Sequence, residues 1–291
     1  MTWVFFQSLI SGILAGGVYA LFGVGITIIF GVMKMVDFSA CTQLVWGMYF
    51  TWIFYSVTGL NCYWAIPFVV ICMGAMAWII FKLIVRPLIG SDDTSFILVT
   101  LGLSYFLQNL AELVFGADPK SVPSNIKTSS IMFGEYSIGL PRLIAFGIMV
   151  ILVLGVYFLL NKTKLGRAMR ATSEKPEVAQ MLGINTKKTF TIAFMIGVIF
   201  AGISGLLITP LYYVTPTAGS MFRTTAYIAV IIGGLGDIKG ALVGGLTIGI
   251  VEALVTGMIS NDLGPVGVCL ALLIVLYLRP QGFFGKGERQ A

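Results

Sequence analysis

Charge is almost absent from the first 81 residues of this chain, where Lys34 and Asp37 are the only acidic or basic side chains. Of the 291 residues, 58% are hydrophobic and 10% are charged, whereas a soluble domain carries about 25% charged residues. Several uncharged apolar runs approach the ~20 residues that a helix needs to cross a bilayer. We therefore predict an all-α fold, a polytopic membrane helix bundle that forms a single transmembrane domain over residues 1–291.

Nine apolar segments can form helices in this bundle, which gives about eight or nine transmembrane helices. They lie at about 8–31, 41–58, 64–85, 95–115, 142–160, 190–212, 222–235, 241–260 and 264–279. No basic region precedes the first segment, as it would in a cleavable signal, so we interpret it as a membrane helix. The segment at 222–235 is too short to cross comfortably, which indicates that the bundle includes short or discontinuous helices.

The distribution of loop charges predicts the orientation of the bundle. Residues 161–188 hold seven Lys/Arg against two Glu, and such an excess of basic residues marks a cytoplasmic segment. Lys82 and Arg86 should lie on the same side. The loop at 116–141 balances two basic against two acidic residues, so we expect it to be external. With nine crossings and a cytoplasmic C-terminus, the N-terminus lies outside.

The cytoplasmic segment contains the signature of a short capped helix, "KPEVAQMLGI". Pro176 suits the first helical position, Glu177 complements the positive end of the helix dipole, and Gly183 suits a left-handed C-terminal stop. A rigid helix between two membrane segments indicates a contact surface. The alternative is an inert solvated connector.

Glycines and a lysine in "IIGGLGDIKGALVGG", residues 231–245, resemble a phosphate-binding loop, but the register is wrong. A Walker loop needs Lys followed by Ser or Thr, and here Gly240 follows Lys239; the dinucleotide spacing fails as well. Small residues four apart instead favour close helix packing in lipid. Two interpretations remain, a discontinuous helix beside a permeation path and plain packing around a tight cytoplasmic turn. Both involve Gly233, Gly234, Gly236, Gly240 and Gly244.

Several polar side chains lie within or beside apolar segments, where they are costly and usually line a cavity or pair with each other. Lys34 and Asp37 would share one face of a helix and could pair, or both could be solvated in a loop. Glu252 could serve function or hydrogen-bond a neighbouring helix. Gln108 and Asn109, near the outer end of their helix, could contact an entering solute or satisfy the helix end.

The residue types exclude most enzyme chemistry. The chain contains no histidine, which removes Ser-His catalysis and imidazole metal sites. Its four cysteines have no CxxC spacing, and they are interpreted as small apolar packing residues. We therefore expect neither enzymatic activity nor a metal or other cofactor in this chain.

Four motifs occur in one order along the chain: "GGVYALFGVGITIIFGVMKMVDFSA", "LVTLGLSYFLQNLAELVFGADPKSVP", "TKLGRAMRATSEKPEVAQMLGIN" and "AVIIGGLGDIKGALVGGLTIGIVEAL". Together they resemble the LivH-type permease subunits of branched-chain amino acid ABC transporters. The resemblance implies a multi-pass protein of the bacterial inner membrane that pairs with a second homologous permease subunit. It also implies two cytoplasmic ATPase subunits, which hold ATP and magnesium, and an external solute-binding protein.

The same resemblance implies a docking role for the third motif, which in this family contacts the ATPase. The role is carried onto Gly166, Arg167, Ala168, Met169, Arg170 and the helix from Pro176 to Gly183, including Glu177 and Met181.

The first motif departs from the family pattern. Family members usually show a segment like N-F-A-H-G-E, and this chain has "DFSACT" beginning at Asp37. If the segment contacts solute, the solute need not be leucine, isoleucine or valine; amides, urea, other amino acids and small carboxylates remain open. The candidate path residues are Asp37, Phe38, Ser39, Thr42, Gln43, Gln108, Asn109 and Glu252.

We conclude from the sequence that the chain forms the translocation path of an ABC importer for a small polar solute, a branched-chain amino acid or a related amino acid or amide. The alternative is an ion-coupled secondary transporter or channel that uses the carboxylates of Asp37 and Glu252.

Overall fold

The computed structural model describes residues 2–122, 130–133 and 136–285 of the chain. Within these ranges the α-helices are α1 Thr2–Met33, α2 Ala40–Thr58, α3 Ile66–Ile80, α4 Asp93–Phe115, α5 Leu140–Lys162, α6 Lys164–Glu174, α7 Pro176–Met181, α8 Thr186–Ile208, α9 Gly219–Gly233, α10 Ile238–Met258 and α11 Gly264–Leu278. Shorter helical turns extend α3 at both ends, as a 3₁₀ turn over Cys62–Ala65, a π turn over Phe81–Val85 and a 3₁₀ turn over Arg86–Leu88; another 3₁₀ turn, Asn261–Leu263, precedes α11.

The polytopic helical bundle is confirmed, and each of the nine segments predicted to be helical contains a helix. By length and apolar composition, six helical stretches in the described part of the chain can cross a membrane: Val4–Met33, Cys62–Leu88, Asp93–Phe115, Leu140–Lys162, Thr186–Ile208 and Ile238–Met258. Helices α9 and α11 have 15 residues each, which is about 22 Å against a hydrocarbon core of about 30 Å. Helix α9 is the short helix that the sequence predicts at 222–235, and α11 is a second short helix.

Two loops contain structure that the sequence did not reveal. The loop at 116–141 ends in an antiparallel hairpin, β1 Ser130–Phe133 paired with β2 Tyr136–Gly139; residues 123–129 and 134–135 of this loop lie outside the described ranges. The segment at 161–188 contains two helices, α6 and α7, rather than one. Helix α6 was not predicted because its sequence, KLGRAMRATSE, has a low apolar content.

Helices α1 and α8 lie at the centre of the bundle. In the most apolar 18-residue stretch of each, 78% and 72% of the residues are buried, compared with 22% for α5 and 28% for α4. Helix α1 packs against α5, α8, α9 and α10, and α8 also packs against α2 and α3. The helices of low burial present their apolar faces outward, as helices at the lipid boundary do.

The contact between α1 and α10 is made by glycine backbones. A Cβ atom on Gly12 would lie 2.8 Å from the carbonyl oxygen of Gly249, and one on Gly16 would lie 2.9 Å from that of Gly245. Helices in lipid gain no hydrophobic free energy from leaving water, so van der Waals contact at short range supplies the attraction. Glycine permits that range because nothing projects from its Cα.

Glycine backbones also make the contacts of α8 with α1 and with α2. Gly25 of α1 and Gly197 of α8 face each other, and a Cβ on either would lie 2.8 Å from the other's carbonyl oxygen. Gly47 of α2 packs directly on the backbone of Gly202 in α8. The central helices are therefore held by backbone contacts at several levels of the bundle.

We predict that Gly16→Ala destabilises the fold, because the added methyl group would meet only backbone atoms of α10 at 2.9 Å. The free energy of unfolding should fall by about 1–3 kcal/mol, the usual effect of overpacking, measured by denaturant unfolding of the purified chain in detergent. The matched control is Gly155→Ala in α5, where no atom lies within 4 Å of the position of a Cβ. Equal stability of the two variants would contradict the proposed contact.

Candidate functional site

The linker between α1 and α2 turns back into the bundle. Helix α1 ends where the backbone N–H of Lys34 donates to the carbonyl of Phe30, at 2.8 Å. Lys34 has φ +58°, the one positive φ among the described residues other than glycine. This left-handed conformation disfavours side chains that carry a Cβ, and it reverses the chain so that Met35 and Val36 lead inward to Asp37.

Asp37 and Lys34 lie in different environments, which corrects both alternatives drawn from the sequence. The Asp37 residue is 1% exposed, whereas the Lys34 side chain is exposed. The segment is a loop, so the two side chains do not share a helix face, and no ion pair joins them among the described residues. Solvation is the right interpretation for Lys34 and the wrong one for Asp37.

The Asp37 carboxylate is held by the residues that begin α2. Its Oδ1 accepts hydrogen bonds from the backbone N–H of Ser39 at 2.8 Å and from the Ser39 hydroxyl at 2.6 Å. Its Oδ2 accepts one from the Gln43 side-chain amide at 3.1 Å, and that amide also donates to the Ser39 hydroxyl oxygen at 2.7 Å. The buried charge is thereby compensated by donors supplied within seven residues of the chain.

Helices α4 and α9 contact this linker from two sides. The Tyr227 hydroxyl of α9 donates to the backbone carbonyl of Asp37 at 2.6 Å, and its ring lies 5.4 Å from that of Phe38. On α4, the Thr100 hydroxyl oxygen accepts from the backbone N–H of Phe38 at 3.4 Å, and a hydrogen bond of 2.7 Å joins Thr42 to Ser104. We call this group the Asp37 cluster: Asp37, Phe38, Ser39, Thr42, Gln43, Thr100, Ser104 and Tyr227.

The Asp37 cluster lies inside the bundle, away from the end that carries the basic segment at 161–188. Thr100 follows the start of α4 at Asp93 by seven residues, and Tyr227 precedes the end of α9 at Gly233 by six. At 1.5 Å per residue, both positions are about 10 Å from the helix ends. This depth places a polar group where the surrounding helices are apolar.

Two buried polar atoms at this level have no hydrogen-bond partner among the described residues. One is the acceptor Oε1 of Gln43, and the other is the donor Nε of Arg223. Arg223 lies on α9 one turn before Tyr227, and its guanidinium lies close to the Cys41 side chain. Buried polar groups are nearly always paired, so an unpaired donor and an unpaired acceptor on these two elements require a reason.

Glu252 belongs to a separate polar group in the outer half of the bundle. Its carboxylate lies close to the Tyr19 hydroxyl on α1, and Tyr212 and Arg142 lie near the same tyrosine. Glu252 follows the start of α10 by 14 residues, about 21 Å at 1.5 Å per residue. The carboxylates of Asp37 and Glu252 thus occupy different levels, and the contact with Tyr19 matches the structural interpretation of Glu252.

Gln108 and Asn109 lie outside the Asp37 cluster. Gln108 is half-buried and follows Ser104 by one helical turn, so it lies on the same face of α4 nearer the outer end. Asn109 is exposed, and its side-chain amide donates to the carbonyl of Tyr105 in its own helix at 2.8 Å. The structure therefore assigns Asn109 a bond within α4 and brings neither residue to Asp37.

The first half of the cytoplasmic segment is α6, which is fixed to the inner end of α5. Thr163 caps it by accepting from the backbone N–H of Gly166 at 3.2 Å, and Gly166 packs so closely on the Leu160 backbone that a Cβ would not fit. Arg170 donates to the Asn161 side chain at 3.0 Å. Met169 is buried, whereas Arg167 is exposed and Ala168 half-buried. Helix α6 also packs against α1 and α8.

The second half is α7, which has the caps that its sequence indicates. It begins at Pro176 with Glu177 in the first turn, and Gly183 follows it with φ +83°. The backbone N–H groups of Gly183 and Ile184 donate to carbonyls of the last turn, each at 3.0 Å. Helix α7 ends in two exposed apolar side chains, its last residue Met181 at 85% and the C-cap residue Leu182 at 76% exposure.

The glycines of residues 231–245 form a tight turn and two packing faces. Gly234 and Gly236 take positive φ angles of 100° and 92° in the turn, and the Asp237 side chain caps α10 by accepting from the N–H groups of Lys239 and Gly240, at 2.8 and 3.3 Å. Gly240 packs on the backbone of Gly233, and Gly244 packs on that of Ala229. The geometry agrees with packing around a tight turn.

A cleft of about 950 Å³ lies between the cytoplasmic segment and this turn. Its walls include Met169 and Arg170 of α6, Lys34 after α1, and Gly236 and Asp237 of the turn. Residues that the sequence singled out in three distant motifs therefore surround one space at the cytoplasmic end.

The structure adds site residues that the sequence analysis missed: Thr100, Ser104, Arg223 and Tyr227 around Asp37, and Tyr19 and Arg142 near Glu252. The hydroxyl residues Thr100 and Ser104 are four apart within an apolar segment, a spacing that places both on one helix face. That signal was available. The tyrosines and arginines had no distinguishing pattern.

The chain matches the family described as "Branched-chain amino acid transport system / permease component" over residues 8–278. It is 30% identical to the high-affinity branched-chain amino acid transport system permease protein LivH of Salmonella typhimurium, across 98% of this chain and 96% of that protein. It is 27% identical to the corresponding permease protein BraD of Pseudomonas aeruginosa, across 98% and 97%. A probable LivH of Methanocaldococcus jannaschii is 29% identical, across 94% and 90%.

We predict that Asp37→Ala destabilises the chain, because Ser39 and Gln43 would lose the acceptor of their hydrogen bonds in a buried position. The free energy of unfolding should fall by about 1–3 kcal/mol, measured by denaturant unfolding in detergent. The control is Asp118→Ala, which removes an exposed carboxylate and should leave stability unchanged. A loss of the same size in both variants would show that the network contributes nothing.

Proposed function

Because the chain belongs to the family of permease components of branched-chain amino acid transport systems, we propose that it forms part of the membrane path of an ATP-driven importer for an amino acid or a closely related small solute. The resemblance drawn from four sequence motifs is confirmed by this membership. The names of the LivH and BraD relatives describe them as branched-chain amino acid transport permeases. We propose a solute of the same chemical class for this chain.

The observation that carries the proposal is the pair of unpaired buried atoms beside the Asp37 cluster. Gln43 offers an acceptor and Arg223 a donor, with the Asp37 carboxylate nearby. An amino acid has an ammonium group that donates hydrogen bonds and a carboxylate that accepts them, and arginine is suited to carboxylates. A solute at this level would donate a hydrogen bond to the Gln43 oxygen and accept one from the Arg223 nitrogen while it is bound.

Contacts between elements provide a route from the cytoplasmic segment to this cluster. Helix α6 packs against α1 and α8, and Met169 of α6 borders the same cleft as Thr27, Gly31 and Lys34 at the end of α1. The linker begins at Lys34 and reaches Tyr227 of α9 three residues later. A displacement of α6 would thus move the end of α1 and loosen the linker as a rigid-body shift.

The proposal includes three kinds of partner subunit. ATP and magnesium belong to two cytoplasmic ATPase subunits, which dock on α6, α7 and the exposed Met181 and Leu182, because an apolar pair on a basic cytoplasmic segment suits a protein surface. A second homologous permease completes the path, and an external binding protein delivers the solute. The complex lies in the bacterial inner membrane.

Uptake by the reconstituted complex tests the function. In proteoliposomes, solute should accumulate only with ATP and the ATPase subunits, and Met181→Asp/Leu182→Asp should reduce both ATPase co-purification and uptake at least tenfold. The control, Met258→Asp/Ile259→Asp, changes an exposed apolar pair at the outer end of α10 and should retain ATPase binding. Uptake by this chain alone, driven by a sodium or proton gradient, would instead support ion coupling.

A further prediction concerns the solute carboxylate. Arg223→Gln should weaken transport of a carboxylate-bearing solute about tenfold, corresponding to about 1.4 kcal/mol, and should leave transport of the matching carboxyl amide nearly unchanged. Initial uptake rates of both solutes at several concentrations measure this, with Arg223→Lys as the variant that keeps the charge. Equal losses for acid and amide would mean that Arg223 has only a structural role.

A further inference from the structure

A second groove, with several basic residues, lies between the last turns of α3 and the start of α8. It is separate from the sites described above. Its volume is about 520 Å³. It is lined by Trp78, Phe81, Lys82, Arg86, Asn185, Lys187, Lys188, Thr191 and Ile192. None of these residues belongs to the Asp37 cluster or to the cleft beside α6.

The lining of this groove combines a mostly apolar exposed surface with several basic residues. Four of its described residues are basic and none is acidic, so their positive charges are not neutralised within the groove. Lys82 keeps its ammonium group 4.8 Å from the centre of the Trp78 ring, which holds the charge at the groove wall by a cation–π contact. Clustered cations of this kind hold phosphate groups in proteins.

Local structure places these cations together. The π turn over Phe81–Val85 and the 3₁₀ turn that follows interrupt the α-helical spacing of α3, and they carry Lys82 and Arg86. On the other wall, the Asn185 side chain accepts from the backbone N–H of Lys188 at 3.0 Å, which fixes the start of α8 and its two lysines. A π turn inside a helix frequently marks a functional position.

The surroundings of the groove are apolar and face outward. Trp78 is 49% exposed and Leu83 69% exposed, and Ile79 is exposed beside them. Tryptophan and lysine at a helix end are typical of the membrane interface. The basic segment at 161–188 identifies this end of the bundle as cytoplasmic, so the groove opens where the headgroups of the inner leaflet lie.

We propose that this groove binds the phosphate of an anionic phospholipid from the inner leaflet. The four cations hold the headgroup, and the apolar side chains around Leu83 contact the acyl chains. Basic pockets between membrane helices on the cytoplasmic side are recognised sites for such headgroups. A soluble anion would use the same cations but would gain nothing from the apolar rim. The proposal does not depend on the identity of the transported solute.

Lipid binding to the full permease complex tests this site. Native mass spectrometry in detergent, titrated with phosphatidylglycerol or phosphatidylcholine, should show preferential retention of phosphatidylglycerol. The variant Lys82→Gln/Arg86→Gln/Lys187→Gln/Lys188→Gln should weaken that retention about tenfold. The control, Lys162→Gln/Lys239→Gln/Arg279→Gln, removes three positive charges from exposed positions outside α6, α7 and this groove and should retain the lipid.

Three outcomes would overturn the proposal. Equal weakening by the two variants would indicate a general attraction to the basic cytoplasmic face. Displacement of the lipid by millimolar inorganic phosphate would assign the groove to a soluble anion, and loss of lipid when the ATPase subunits bind would assign it to that protein surface. A photoactivatable phosphatidylglycerol tests the unaltered chain, where labelling must fall within residues 78–86 or 185–192. Lipid retention and labelling are measured without transport, so a negative result here would not contradict the proposed transport function, and the reverse also holds.

Discussion

Close backbone contact between helices is the interaction on which the rest of this structure depends. Lipid chains are as apolar as leucine, so burial from water does not hold membrane helices together. Glycines on α1, α8 and α10 remove the side chains that would separate the helices, and the facing carbonyl oxygens would lie under 3 Å from an added Cβ. The central position of α1 and α8 follows from these contacts.

The tight centre creates the conditions for the Asp37 cluster. Because α1 and α8 occupy the middle of the bundle, the linker that leaves α1 must turn back between neighbouring helices, and Lys34 takes the left-handed conformation where it does so. A carboxylate at that depth is costly unless it is hydrogen-bonded. Ser39 and Gln43 supply the bonds locally, and Tyr227 fixes the backbone from α9. The cost of burial is thus met by residues next to the turn that brings the chain back into the bundle.

Polar groups elsewhere are distributed by level. Glu252 and Tyr19 lie in the outer half of the bundle, the Asp37 cluster lies about 10 Å from the cytoplasmic helix ends, and the cleft beside α6 lies at the cytoplasmic end itself. The carboxylates of Asp37 and Glu252 therefore lie at different levels of the bundle, whereas the ion-coupled alternative uses the two together. This order also places α6 beside α1.

Local patterns predicted the nine apolar helices and the caps of α7, and they left a tight turn near Asp237 as one of two interpretations, because apolar periodicity, proline, glycine and capping residues act over a few neighbouring positions. The sequence by itself also determined that the chain is a membrane bundle with a basic cytoplasmic segment. It could not identify Tyr227 as a neighbour of Asp37, since Tyr227 lies 190 residues away and nothing in its local sequence distinguishes it. Only the tertiary structure decided that Asp37 is buried rather than solvated, because its environment comes from helices that meet only when the bundle is packed.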